Sequence, residues 1–97
     1  MYGRYEGQFQ NGVKQGFGTF HGNDESIYEG NFANDERMGM GKLKYPNGDI
    51  YEGLFAHDKP HGHGRLTKAD GQVDEGEWSS GRKVTKFNLD DDGDLDI

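Results

Sequence analysis

The sequence predicts an all-β protein, an elongated single-layer antiparallel meander of tandem β-hairpins with a capping strand at its C-terminal end. Three observations predict it. A 23-residue segment repeats without insertion, so Tyr5-Glu6-Gly7, Tyr28-Glu29-Gly30, Tyr51-Glu52-Gly53 and Asp74-Glu75-Gly76 fall in phase, and self-similarity at a fixed period is the mark of a stacked array. Within each segment apolar and polar residues alternate at period two, with none of the i, i+3, i+4 spacing of a helix. Turn residues recur between the alternating runs, in Pro46-Asn47-Gly48-Asp49 and Ala69-Asp70-Gly71-Gln72.

Each unit opens with a strand of the form Tyr-Glu-Gly-x-aromatic, the aromatic being Phe9, Phe32, Phe55 or Trp78. A polar loop follows, such as Ala33-Asn34-Asp35-Glu36-Arg37-Met38, and is expected to be longer than a tight turn. The second strand carries Gly-x-Gly (Gly16/Gly18, Gly39/Gly41, Gly62/Gly64) and then Phe20, Leu43 or Leu66. Asn-Gly or Asp-Gly then supplies the positive φ that a tight reversal needs, while Asn23-Asp24-Glu25-Ser26 fills that slot in the first unit without glycine. Ile27, Ile50 and Val73 close the units.

Strand parity sorts two faces. Tyr28, Gly30 and Phe32 are expected to share a side with Gly39, Gly41, Leu43 and Tyr45, and Glu29, Lys42 and Lys44 to point the other way. Glycine weakens a strand unless something approaches its bare backbone. The expectation is therefore that aromatic rings from adjoining strands lie on these glycines, and that Glu29 and Glu52 alternate with Lys42 and Arg65 on the opposite face as cross-strand charge pairs.

The Tyr-Glu-Gly-x-Phe/Trp, Gly-x-Gly and Asp/Asn-Gly signature on this period closely resembles the MORN (membrane occupation and recognition nexus) repeat, with three full units over about residues 5–84. The resemblance implies an extended twisted hairpin sheet serving as a scaffold in cytoskeletal and ciliary assemblies, at membrane junctions, or beside enzyme domains such as lipid kinases and lysine methyltransferases. The fourth unit departs from it, with Asp74 in place of the tyrosine and Thr85 and Phe87 in place of the glycines. The array is expected over 1–84, in units starting near 5, 28 and 51 with a partial unit from 74. Residues 84–89 read as the capping strand, and an acidic, disordered tail completes 85–97. Residue 1 enters mid-unit, as a piece of a longer protein would, though a short protein beginning at Met1 is equally compatible.

Composition narrows the function. The formal net charge is −7; five aspartates against one lysine in residues 85–97 account for −4, leaving −3 on residues 1–84. Neither part is basic, so nucleic acid is not expected as a partner. With no cysteine, the chain can have neither disulfides nor thiolate chemistry, which fits a reducing, cytoplasmic location, with cytoskeletal or membrane association implied by the family. No stretch approaches the roughly 20 apolar residues of a membrane span, and the N-terminus lacks signal-peptide order.

No enzyme is expected. Glu6, Glu29, Glu52 and Glu75 stand a full repeat apart and so would not converge on one substrate, and the Gly-x-Gly pairs do not continue into a phosphate loop. His57, His61 and His63 sit at variable repeat positions with no clustered carboxylate to complete a metal shell. The tail Asp90–Ile97 lacks the glycine at position six and the glutamate at position twelve of a calcium loop. No cofactor is expected.

Binding is the reading that remains. The aromatic row Tyr5, Phe9, Tyr28, Phe32, Tyr51, Phe55 and Trp78 is the candidate surface for a protein partner or a second copy of the chain, alongside an edge strand; the plainer reading of these rings is that they are the core. A phospholipid head group is the rival ligand, on a local basic strip of Lys42, Lys44, Arg65 and Lys68 extended by Arg82 and Lys83. Regulation of a larger enzyme is the third reading.

Overall fold

The computed structural model describes residues 3–84, so the expected capping strand beyond Val84 and the acidic tail lie outside the described residues. Eight strands form one antiparallel sheet in simple sequence order: β1 (Gly3–Gln10), β2 (Val13–Gly22), β3 (Ile27–Ala33), β4 (Glu36–Lys44), β5 (Ile50–Ala56), β6 (Lys59–Thr67), β7 (Val73–Ser79) and β8 (Arg82–Lys83). The molecule measures 51 × 30 × 17 Å, the proportions of a ribbon that lengthens by one hairpin per repeat.

The loop inside each unit is shorter than its polar sequence suggested. Only Asn34 and Asp35 separate β3 from β4, because both adopt positive φ (52° and 71°) and reverse the chain in two residues. Asn11-Gly12, His57-Asp58 and Ser80-Gly81 do the same, each with two consecutive positive φ values. Such paired left-handed residues match the right-handed twist of the flanking strands, and Asn, Asp and His tolerate the conformation better than most. Polarity thus marks a tight turn rather than a long loop.

The first glycine of each Gly-x-Gly serves a bulge. Opposite Asn31 alone, β4 places Met38, Gly39 and Met40, and the register resumes at Gly30 with Gly41 and at Phe32 with Arg37. Gly39 has φ +79°, which admits the extra residues without strain. Since the shift is even, side chains keep their faces across it. The connections between units are the expected glycine turns, closed by Tyr45 N donating to Asp49 O (2.8 Å) and Lys68 N to Gln72 O (2.7 Å). In the first unit the same turn runs through Glu25 at φ +74°, a non-glycine residue in the slot held by Gly48 and Gly71.

The core sits on one side of the sheet. Tyr28, Phe32, Leu43, Tyr51, Phe55 and Trp78 are buried there, with Tyr5, Phe20, Tyr45 and Leu66 packed against them. Face assignment by parity agrees with the observed register, in which Tyr28 pairs with Leu43 and Gly30 with Gly41 while Glu29 pairs with Lys42.

Candidate functional site

Seven aromatic rings form a continuous zigzag. Phe9 meets Tyr5 edge-on (centroids 5.0 Å apart), Tyr5 meets Phe32 (5.1 Å), Phe32 meets Tyr28 (5.1 Å), Tyr28 meets Phe55 (5.0 Å), Phe55 meets Tyr51 (5.2 Å) and Tyr51 meets Trp78 (5.4 Å). Every step is near-perpendicular, the arrangement that sets one ring's positive edge on the next ring's negative face. Each tyrosine hydroxyl donates to the backbone carbonyl three residues on: Tyr5 to Gln8, Tyr28 to Asn31 and Tyr51 to Leu54, at 2.8–2.9 Å. The Trp78 indole N–H donates to Gly64 O at 3.1 Å.

These tyrosines lie over the second glycine of each pair. A Cβ on Gly18, Gly41 or Gly64 would overlap the ring of Tyr5, Tyr28 or Tyr51 respectively. Burial is close to complete, 1% exposure for Tyr28 and for Tyr51, and it pushes the ionisation of both phenols up to about 12 by penalising the charged form.

Neighbouring units are clasped by their turns. Asp35 N donates to Lys14 O at 3.0 Å while Lys14 N donates to Asp35 Oδ1 at 2.7 Å. One repeat on, Asp58 N donates to Arg37 O (3.2 Å) and Arg37 N to Asp58 Oδ1 (2.9 Å), and the Arg37 guanidinium also donates to the Asp58 carbonyl. The third clasp has no charges, only Gly81 N donating to Pro60 O at 2.9 Å. Both cations also sit over rings: Lys14 lies 5.6 Å from the Tyr5 centroid, and Arg37 lies 5.6 Å and 5.5 Å from those of Tyr28 and Phe55. Sequence reasoning overlooked these residues, although the phase held the signal: Lys14, Arg37 and Pro60 share one repeat position, and Asp35, Asp58 and Gly81 another.

The MORN-repeat family model matches three times in succession, over residues 5–27, 28–50 and 51–73. The chain belongs to the MORN-repeat family. A comparison with curated proteins returned no match.

In this MORN array most of the aromatic row is interior. Five members, Tyr28, Phe32, Tyr51, Phe55 and Trp78, are buried against one another. The reason is that Phe32 and Phe55 each lie between the tyrosines of two units. Phe9 is the exception at 61% exposure; among the described residues the one ring it meets is that of Tyr5, in its own unit. Beside the row, a groove of about 400 Å³ opens on Lys14, Phe20, Ser26, Arg37 and Asp58.

The opposite face is organised in rows across the strands. One runs Glu6, Thr19, Glu29, Lys42, Glu52, Arg65, Glu75, each residue in register with the next. The charge pairs expected among Glu29, Lys42, Glu52 and Arg65 do not close to ion-pair distance, and Arg65 instead pairs with Glu75 at 3.2 Å. His63 joins that pair, 3.2 Å from Glu75, and together His63 and Arg65 hold the Glu75 carboxyl below its ordinary range. Lys42 lies between Glu29 and Glu52, Lys44 beside Ile27 and Ile50, and Lys68 in the turn after β6. The basic residues are therefore not brought into one strip. The three histidines are likewise dispersed: His57 bonds Glu36 (3.0 Å), His61 accepts from Ser80 N (3.3 Å), and His63 faces Glu75. Among the described residues no group of three or more His, Cys, Asp or Glu is placed to hold a metal.

Proposed function

We propose that this MORN array is a non-catalytic interaction module that takes a partner's strand along the outer edge of β1. The observation that carries the reading is Phe9. Its counterparts Phe32 and Phe55 are 5% and 3% exposed because a ring of the preceding unit covers each, whereas among the described residues no such ring lies over Phe9, which is 61% exposed. Among the described residues, β1 is hydrogen-bonded to β2 alone, and an exposed strand edge beside an uncovered ring favours strand addition.

The internal repeats state what chemistry fits. β3 and β5 receive β2 and β4 on the equivalent edge, so β1 is matched to a strand of the Gly-x-Gly-x-apolar kind. Phospholipid has less support, since Lys42 and Arg65 each stand between two glutamates.

A synthetic peptide with the sequence of residues 36–45 is the natural probe. Binding should slow hydrogen exchange at β1 amides and be weakened by Phe9→Ser, while liposomes containing phosphoinositides leave β1 unchanged. Exchange at β1 that ignores the peptide, or protection that appears only with the liposomes, would refute the edge-strand reading.

A further inference from the structure

Another exposed apolar feature lies on the charged face, away from β1. Met40 on β4 and Leu54 on β5 are register partners, 60% and 38% exposed. Their apolar character is surplus to the fold. The equivalents of Leu54 in the other units are Gln8, Asn31 and Glu77, and those of Met40 are Phe17, itself 59% exposed, and His63; a polar residue therefore satisfies the Leu54 position in every other unit and the Met40 position in one of them.

What surrounds the pair is self-complementary. Consider a two-fold axis lying along the strand direction between β4 and β5, with two copies stacked face to face. It carries Met40 onto the other copy's Leu54, and Leu54 onto its Met40. In the adjoining row it sets Lys42 against Glu52 and Glu52 against Lys42, because these two are register partners across the same axis. One strand farther out, Glu29 of β3 meets Arg65 of β6, and Asn31 meets His63. Each of these charges thus faces its opposite. A shallow hollow of about 400 Å³, lined by Met40, Leu54, His63, Arg65 and Glu75, receives the flexible Met40 side chain of the other copy.

From this we infer that the charged face, centred on Met40 and Leu54, is the site of a symmetric homodimer, its occupant being a second copy of this chain. The contact is isologous, so it closes and does not polymerise. It is also weak. Four central strands at about 4.8 Å spacing and two or three rows of side chains cover roughly 300–400 Å² per copy, against about 800 Å² in a standard interface. The dimer therefore forms in the range of tens to hundreds of micromolar, on the order of the affinities that small contacts allow. It leaves β1 free, so it stands or falls separately from strand addition there.

Sedimentation equilibrium of the full chain, from about ten micromolar to about one millimolar, tests the inference. Wild type should dimerise. Lys42→Glu sets glutamate against Glu52, and Glu52→Lys sets lysine against Lys42, so each variant alone should associate about tenfold or more weakly. Mixed in equal amounts they regain both opposite-charge contacts, and a heterodimer as tight as wild type should appear. Met40→Gln and Leu54→Ser, at exposed positions that a polar residue fills in at least one other repeat, should also weaken association, with circular dichroism unchanged. A wild-type monomer at the highest concentration overturns the inference, as does a mixture no tighter than its components. So does loss of the dimer on Phe9→Ser with Leu54→Ser silent, which would move the contact to the β1 edge.

Discussion

The ring of Tyr28 rests on Gly41 of the adjoining strand, close enough that no side chain can stand at that glycine while the ring stays where it is. The phenol donates to Asn31 O and the ring edge meets Phe32 and Phe55, so this contact joins two units of the core.

Replacing Gly41 with alanine should therefore lift Tyr28 out of its place. Over-packing of this kind costs about 1–3 kcal/mol, and the upper end is expected here because the displaced ring also loses its hydrogen bond. Gly76→Ala is the internal control. It occupies the same phase as Gly7, Gly30 and Gly53, but an added methyl there meets only the flexible end of Lys83 at 3.4 Å. Urea unfolding followed by circular dichroism should show a large loss for the first variant and little change, or a slight gain, for the second.

Glu25 holds a left-handed conformation in a turn whose later copies use glycine. That conformation costs a non-glycine residue about 1–2 kcal/mol, part of which glycine returns through its greater freedom in the unfolded chain. Glu25→Gly should stabilise the array by about 0.5–1 kcal/mol, read as a raised unfolding midpoint with an unchanged denaturant slope.

The Arg37–Asp58 clasp predicts coupling between units. In a double-mutant cycle of Arg37→Met and Asp58→Asn, the interaction energy should be about 1 kcal/mol, at the upper end of the range of an exposed pair because the arginine is largely covered and also bonds the backbone. A value near zero would mean that the backbone bonds alone hold the turn.

Alkaline pH should unfold the array early. Tyr28 and Tyr51 ionise at about 12 when folded, against about 10 for a tyrosine in an unfolded chain. A raised folded value means that the unfolded state releases its protons first. The contribution is thus fully present below pH 10 and is lost as pH climbs towards 12, by up to roughly 3 kcal/mol per tyrosine. Thermal melts across this window should fall steeply, and Tyr51→Phe should flatten the slope even though it gives up the bond to Leu54 O.

Repeat phase alone identified the strands, the two faces, the inter-unit turns and the tyrosine–glycine stacking, because a fixed period with period-two alternation leaves the backbone few ways to bury its rings. It went astray where one residue's conformation decides the outcome. Asn34-Asp35 and His57-Asp58 turn the chain in two residues through positive φ, which polarity does not announce. Whether Phe9 or Phe32 faces water, and that Arg37 reaches Asp58 one repeat away, were decided by the tertiary structure. Exposure depends on which rings of the adjoining units lie against each residue, and that is a property of neighbouring units rather than of any one of them.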